Sequence, residues 1–265
     1  MNIQSNLQGR PPKVEVRSVS KTFTTDSGRV VKAIGDANIS IAEGEFAAFI
    51  GPSGCGKSTL LYMVAGFEQP SSGTVSMNGH RIDRPQPDRG IVFQEYVLFP
   101  WLTVEGNIRF GIDVQGKKDA ISEARVKHLI SIVGLNGFEN AYPHTLSGGM
   151  QQRVAIARAL AYDPEVLLMD EPFGALDAQT KRRLIADFLK VWDETKKTVI
   201  FVTHSVEEAL LLADKVYLFS ARPSKIKQVF DVNLTRPRDI GAPEFIEIEK
   251  ALLASLDEEV SKMMG

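Results

Sequence analysis

Gly51-Pro52-Ser53-Gly54-Cys55-Gly56-Lys57-Ser58-Thr59 follows the apolar run Phe46-Ala47-Ala48-Phe49-Ile50 and precedes the helix-forming run Leu60-Leu61-Tyr62-Met63-Val64-Ala65. Strand, glycine-rich turn, then helix is the setting in which G-x-x-x-x-G-K-[ST] forms a phosphate-binding P-loop. The glycines let the backbone curl so that its N–H groups point inward at an anion. The new helix adds unpaired N–H groups and its positive dipole end at the same spot. Lys57 supplies a point charge for the outer phosphates, and the Ser58 hydroxyl is placed to bind Mg2+. An ordinary Gly-rich turn is the competing reading. With full motif and context together, residues Gly51 through Thr59 are expected to hold a nucleotide.

A chain of 265 residues accommodates one large domain or two modest ones. Hydrophobic residues at 43% and charged residues at 24% are those of an ordinary globular protein. A formal net charge of −2 gives no electrostatic reason to expect nucleic acid as a partner. The single cysteine, Cys55, excludes an intrachain disulfide, which suits a reducing compartment. Its place inside the glycine-rich loop puts its thiol near bound phosphate. The longest apolar runs, such as Ala209-Leu210-Leu211-Leu212-Ala213, fall far short of the ~18–20 residues of a membrane span. No basic start followed by an apolar core is present, so no signal peptide is expected. Work at a membrane would therefore go through a partner.

Residues 1–12 are polar, end in Gly9-Arg10-Pro11-Pro12, and read as a flexible leader. Val14 to Val19 and Ala37 to Ile41 alternate with the period of a strand, and Asn78-Gly79 marks a hairpin between Thr74–Met77 and Arg81-Ile82. An antiparallel β layer is thus expected before the strand leading into the glycine-rich loop. From about Val97 to Leu160 helical spacing dominates. Ile121, Val126, Leu129, Ile130 and Val133 are expected on one helix face that Gly134 terminates. Val166–Met169, Thr198–Thr203 and Val216–Phe219 read as further strands, so the core sheet is expected to be mostly parallel with its ligand at the strand ends. The domain plan is a leader at 1–12, an α/β domain at 13–240 with a helical subdomain inserted at about 95–162, and a helical tail at 241–265. Phe245, Ile248, Leu252, Leu256 and Val260 give that tail a face to pack with.

Two further stretches narrow the chemistry. Val166-Leu167-Leu168-Met169 runs into Asp170-Glu171, an apolar strand ending in adjacent carboxylates. Beside a phosphate-binding loop, Asp170 suits the Mg2+ shell and Glu171 suits orienting or deprotonating an attacking water. Leu146-Ser147-Gly148-Gly149-Met150-Gln151-Gln152-Arg153 opens a strongly helical run, so Ser147 and two glycines sit at a helix N-terminus, a second place built to meet an anion.

These motifs, in this order, resemble the nucleotide-binding subunit of ATP-binding cassette (ABC) transporters from about Val14 to Val232. Leu146-Ser147-Gly148-Gly149-Met150-Gln151 is similar to the family signature, and Gly174-Ala175-Leu176-Asp177 to its D-loop. Gln94 is similar to the Q-loop glutamine that contacts Mg2+ and senses the transport partner. His204 is similar to the switch histidine at the γ-phosphate, and Phe23 to the aromatic that stacks on adenine. The resemblance implies that ATP held on one chain's P-loop is covered by Ser147, Gly148, Gly149 and Gln151 of a second copy, with Asp177 nearby. The active unit is then a head-to-tail homodimer that hydrolysis loosens. Glu171, His204 and Lys57 are the implied catalytic residues, and Ser58, Gln94 and Asp170 the implied Mg2+ ligands.

After Gln94, the aromatic stretch Glu95-Tyr96-Val97-Leu98-Phe99-Pro100-Trp101-Leu102 corresponds to the groove that receives a helix of the membrane permease. Pro87 to Gln94, Leu98 to Val104, and Ala221-Arg222-Pro223 through Lys225-Ile226 are similar to the importer branch for nitrate, sulfonates and taurine. That branch implies permease subunits, an extracytoplasmic solute-binding protein, and a place on the cytoplasmic face of the membrane. Open alternatives are an importer of another small solute and a non-transport ABC-type ATPase. A P-loop kinase would have no use for the signature, and ABC-type ATPases of DNA or ribosomes usually carry a long coiled coil or two fused cassettes.

Overall fold

The computed structural model describes residues 12–25, 27–117, 119–174 and 176–264. The expected leader lies outside the described residues except for Pro12. The chain divides into two compact units, one made of residues up to Gln86 together with Thr198 onward, the other of Pro87–Lys197.

The first unit is built on a sheet. Strands β1 (Val14–Thr24) and β2 (Val30–Ile41) form a long antiparallel hairpin, and β1 also pairs with β4 (Ser72–Met77). β4 turns into the two-residue β5 (His80–Arg81) through Asn78 and Gly79, both at positive φ (51° and 77°), as a type I′ turn requires. This is the hairpin expected from Asn78-Gly79. On the other side of β2 come β10 (Ser224–Asp231), β9 (Lys215–Phe219), β3 (Phe46–Ile50) and β8 (Thr198–Val202), in that order. β3 runs parallel to both β8 and β9, and all five residues of β3 and of β8 are buried. Continuous apolar strands are what a parallel sheet covered on both faces demands. Phe46 and Phe201, and Phe49 and Phe219, pack ring to ring across this core. Helix α1 (Lys57–Ala65) follows β3, and α6 (Val206–Leu212) follows β8. The tail is helix α7 (Pro243–Met264), which packs on α6 and buries Phe245 and Leu252 completely.

The second unit carries two parallel strands, β6 (Arg89–Val92) and β7 (Val166–Asp170), paired from Arg89↔Val166 to Val92↔Met169. Its helices are α2 (Val104–Val114), α3 (Ala120–Ile132), α4 (Gly148–Ala161) and α5 (Ala178–Thr195). Each starts at a side chain that accepts from a first-turn amide: Thr103, Asp119, Ser147 and Asp177 respectively. α4 lies centrally, packed by α2, α3, α5 and β6, and buries Val154 through Ala157 and Ala159 through Ala161. Among the described residues no helix is long and apolar enough to cross a membrane.

The expected face of α3 holds with one correction. Val126, Leu129, Ile130 and Val133 are buried, but Ile121 is 80% exposed. Five residues separate Ile121 from Val126, which at about 100° per residue turns it some 140° away from the buried stripe. Leu129→Ala should therefore cost ~2–5 kcal/mol in urea unfolding, and Ile121→Ala no more than about 0.5 kcal/mol. Equal losses from the two substitutions would contradict this assignment of the face.

Candidate functional site

In the first unit the glycine-rich loop leaves the buried end of β3 and enters α1. Gly51, Gly54 and Gly56 have φ of 157°, 72° and 112°, a region L side chains avoid. A Cβ at Gly51 would lie 2.8 Å from the Phe219 carbonyl oxygen, and one at Gly56 would lie 3.1 Å from Ile34 Cγ1. Gly56 is the N-cap of α1, so the helix starts without a side-chain cap and its first-turn amides face the loop. Lys57 is 5% exposed, and its Nζ donates to the carbonyls of Gly51 (2.8 Å) and Pro52 (3.0 Å). The ammonium is thereby held inside the curl of the loop. Cys55 is fully buried, and burial pushes its thiol pKa up although Lys57 pulls the other way.

His204 leaves the end of β8, the parallel neighbour of β3, where the Thr203 N–H donates to the Phe49 carbonyl (3.2 Å). Its imidazole is exposed on a turn fixed from below. Thr203 Oγ1 donates to Glu208 Oε2 (2.5 Å) and accepts from the Ser205 N–H (3.0 Å), with Thr203 and Glu208 both buried. Phe23 is 37% exposed near the end of β1, its ring 4.9 Å from Lys21 Nζ. In the sheet β1 is separated from β3 by β2, β10 and β9.

In the second unit the β6–β7 register sets Gln94, two residues beyond β6, beside the end of β7. Asp170 is the last residue of β7 and is buried; Glu171 follows with φ 45°. A non-glycine residue in the left-handed region costs ~1–3 kcal/mol and persists only where the surrounding structure holds it. Ser147 caps α4 by accepting from the Met150 N–H (3.4 Å) and is itself exposed. A Cβ on Gly148 would meet Tyr96 Oη at 2.9 Å and Leu176 Cδ2 at 3.7 Å, and one on Gly149 would meet Thr180 Cγ2 at 3.0 Å. Both glycines are thus needed for close approach of the segments after Gln94 and around Leu176. Gln151 Nε2 donates to the carbonyls of Pro143 (3.0 Å) and Leu146 (3.2 Å), so its amide nitrogen braces the loop before the helix. Asp177 accepts from the Gln179 and Thr180 amides as the cap of α5, bonds that hold its carboxyl below the usual range. Ala175 lies outside the described residues.

Sequence reading missed two residues that build the aromatic stretch. Asn107, fully buried in α2, accepts from the Phe99 N–H (2.8 Å) and donates to the carbonyls of Phe99, Leu102 and Thr103 at 3.0–3.1 Å. Arg158, on α4, donates to the carbonyls of Val97 (2.7 Å) and Tyr96 (3.2 Å) and lies 5.4 Å from the Phe99 ring centroid. Val97 sits at φ 45°, a strained conformation for a β-branched residue. Trp101 is left 69% exposed on the surface so formed, its ring tilted 43° against that of Phe99 at 5.6 Å between centroids. An asparagine on the buried face of an amphipathic helix, between Val104 and Ile108, was the available signal for Asn107.

The family model described as ABC transporter matches residues 34–174. The chain belongs to the ABC transporter family, and its α/β fold is that of the family's P-loop ATPase. It is 50% identical to an uncharacterized ABC transporter ATP-binding protein of Methanocaldococcus jannaschii, over 95% of this chain and 94% of that one. It is 45% identical to the aliphatic sulfonates import ATP-binding protein SsuB of Bacillus cereus (92% and 96% covered). It is 46% identical to the nitrate import ATP-binding protein NrtD of Synechocystis (87% and 86% covered). A solved dimeric ATP-binding cassette, in a post-hydrolysis state with ADP and Pi, matches with TM-score 0.72 at 30% identity, covering 84% of this chain and all of that one.

Asn107→Ala removes the side-chain partner of three carbonyls and one amide at once, while the Phe99 and Thr103 carbonyls keep the backbone bonds from the Leu102 and Asn107 N–H groups. We expect a stability loss of ~1–3 kcal/mol in urea unfolding, and chymotryptic cleavage after Trp101 under conditions where the parent chain is intact. Unchanged cleavage would refute this role for the amide.

Proposed function

We propose that this chain is the ATP-binding subunit of a membrane importer for small anions such as sulfonates, taurine or nitrate, and that it hydrolyses ATP as a head-to-tail homodimer. The single observation carrying this is the uncapped, glycine-lined start of α1 with Lys57 held inside the loop, on a chain whose relatives are import ATP-binding proteins. In domain terms, residues 13–240 are the ATPase, about 95–162 its inserted helical subdomain, and 241–265 a helical tail.

In this reading the amides of Gly51 through Thr59 and the Lys57 ammonium bind the phosphates, and the exposed Phe23 ring stacks on adenine. Ser58, Gln94 and Asp170 offer a hydroxyl, an amide oxygen and one carboxylate, an all-oxygen set suited to Mg2+ that keeps phosphate and water among its ligands. Among the described residues no cluster of three or more His, Cys, Asp or Glu could hold a metal ion, consistent with a set of that kind. Bound there, Mg2+ would neutralise charge on the phosphate oxygens. Glu171, fixed by its left-handed backbone, orients the attacking water and takes its proton. His204, on its braced turn, donates to the γ-phosphate. Ser147 with the Gly148 and Gly149 amides of a second copy completes the anion's shell, with Gln151 bracing that loop and Asp177 beside it, so ATP closes the dimer and hydrolysis releases it. In the same reading permease subunits dock on the surface around Trp101, the chain works at the cytoplasmic face of the membrane, and an extracytoplasmic solute-binding protein delivers the anion to the permease.

The deciding experiment is ATP turnover with and without the co-expressed permease subunits. Stimulation by them, and none by nucleic acid, is the expected result. Glu171→Gln should keep ATP binding, lose turnover, and accumulate as an ATP-bound dimer in size-exclusion chromatography; full turnover would remove Glu171 as base. Ser147→Arg should bind nucleotide as a single chain yet fail to hydrolyse it, and normal hydrolysis would sink the shared-site reading.

A further inference from the structure

The turn between β9 and β10 carries Ala221-Arg222-Pro223, part of the importer likeness to which no role has so far been given, and it lies directly against the phosphate-binding loop. Three points of the loop rest on it or its flanks. Gly51 lies against the Phe219 carbonyl and Gly56 against Ser224 Oγ, at 2.8 and 3.5 Å from where their Cβ atoms would be. Between them, Arg222 Nε donates to the Gly54 carbonyl oxygen, and its Nη2 lies 3.1 Å from the position of a Gly54 Cβ. Gly54, at φ 72°, is the point where the loop reverses.

The turn is not free to drift. The Ser220 N–H donates to the Lys225 carbonyl (2.9 Å) and the Lys225 N–H to Ser220 Oγ (3.1 Å). Ser224 Oγ, buried, donates to the Ala33 carbonyl (3.3 Å). The Ala221 N–H, next to Arg222, donates to Glu259 Oε2 of α7 at 3.0 Å. Glu259 is 2% exposed, and its other oxygen takes Lys262 Nζ (2.5 Å) and Lys227 Nζ (3.1 Å). Burial alone would raise this carboxyl's pKa. The bonds from Lys262, the Ala221 N–H and Lys227 instead hold it at about 2. Its folded pKa lies below its ordinary one, so the stability it adds is present above the ordinary value and lost only as pH falls toward 2. The contact is therefore charged at any neutral pH.

We propose that Arg222 is a positioning residue for the phosphate-binding loop, and that the C-terminal helix sets it through Glu259 and the Ala221 amide. Gly54 is held from outside by a charge-assisted bond, and the helix that anchors the donor is the tail of the chain. Nucleotide affinity is then coupled to the seating of α7, which gives a partner or ligand that shifts this helix a route to the ATP site. The inference rests on reading Gly51–Thr59 as the nucleotide site.

Cys55, next to Gly54 and the sole thiol of the chain, reports on the loop directly. The full chain and its Arg222→Ala, Arg222→Lys, Glu259→Ala and double Arg222→Ala/Glu259→Ala variants are compared in two measurements. One is the rate of Cys55 alkylation without nucleotide; the other is KM and kcat for MgATP. Arg222→Ala should raise both the alkylation rate and KM by about fivefold, the factor one hydrogen bond is worth, with the thermal midpoint and kcat little changed. Arg222→Lys, which keeps a donor, should recover part of the effect. Glu259→Ala should shift both readouts the same way by less, and the double variant should match Arg222→Ala alone. Slower alkylation in Arg222→Ala would mean that the guanidinium acts only as a charge beside the thiol, and would overturn the proposal. So would an unchanged KM, a fall in kcat at constant KM, or fully additive effects in the double variant. If the parent chain binds no nucleotide, the reading of the loop fails, while the alkylation rates still judge the contact itself.

Discussion

A backbone that turns its amides inward while lying between neighbouring strands has no space for side chains where it touches them. At Gly51 that neighbour is Phe219 of β9, and at Gly56 it is Ile34 of β2. This steric constraint orders much else in the first unit. β3 must be flanked by parallel strands to end where the loop begins, and β8, its other neighbour, delivers His204 from the same end. Lys57 then fills the curl that the glycines open. The loop is a shape imposed by its surroundings as much as by its own glycines.

The second unit has a comparable centre in α4. Its first residues are packed by Tyr96, Leu176 and Thr180, leaving Ser147 at the surface. Eleven residues on, or about 16 Å along the axis, Arg158 holds the carbonyls of Tyr96 and Val97. Arg153, between them, ties the end of α3 to Asp187 of α5. One helix thus carries the signature serine at one end and grips the base of the aromatic surface at the other.

Much of this was legible in the sequence, because the informative residues act through types that only a few tasks require. Gly51, Lys57 and Ser58 after an apolar strand, Asp170-Glu171 after another, and Ser147-Gly148-Gly149 before a helix each carry a chemical meaning in their order. The strands were legible for the same reason, since β3, β7 and β8 are uninterrupted apolar runs. What was not legible depends on neighbours far along the chain. Asn107 and Arg158 satisfy carbonyls of a loop whose shape no local pattern encodes, and Ile121 shows how an apolar residue near the right spacing still faces water. Thr203 and Glu208 bond only because a turn brings them together.

The division of the chain has a consequence during synthesis. The second unit is one continuous stretch, Pro87–Lys197, whereas the first is interrupted by it. β3 emerges early, yet Phe46 waits for Val199 and Ala47 for Lys215 before its strand has partners on either side. At translation speeds of about 5–20 residues per second, the strand leading into the phosphate-binding loop spends roughly 8–30 s without them. Throughout that interval Phe46-Ala47-Ala48-Phe49-Ile50 is an unpaired apolar edge, open to association with other nascent chains or to capture by a chaperone.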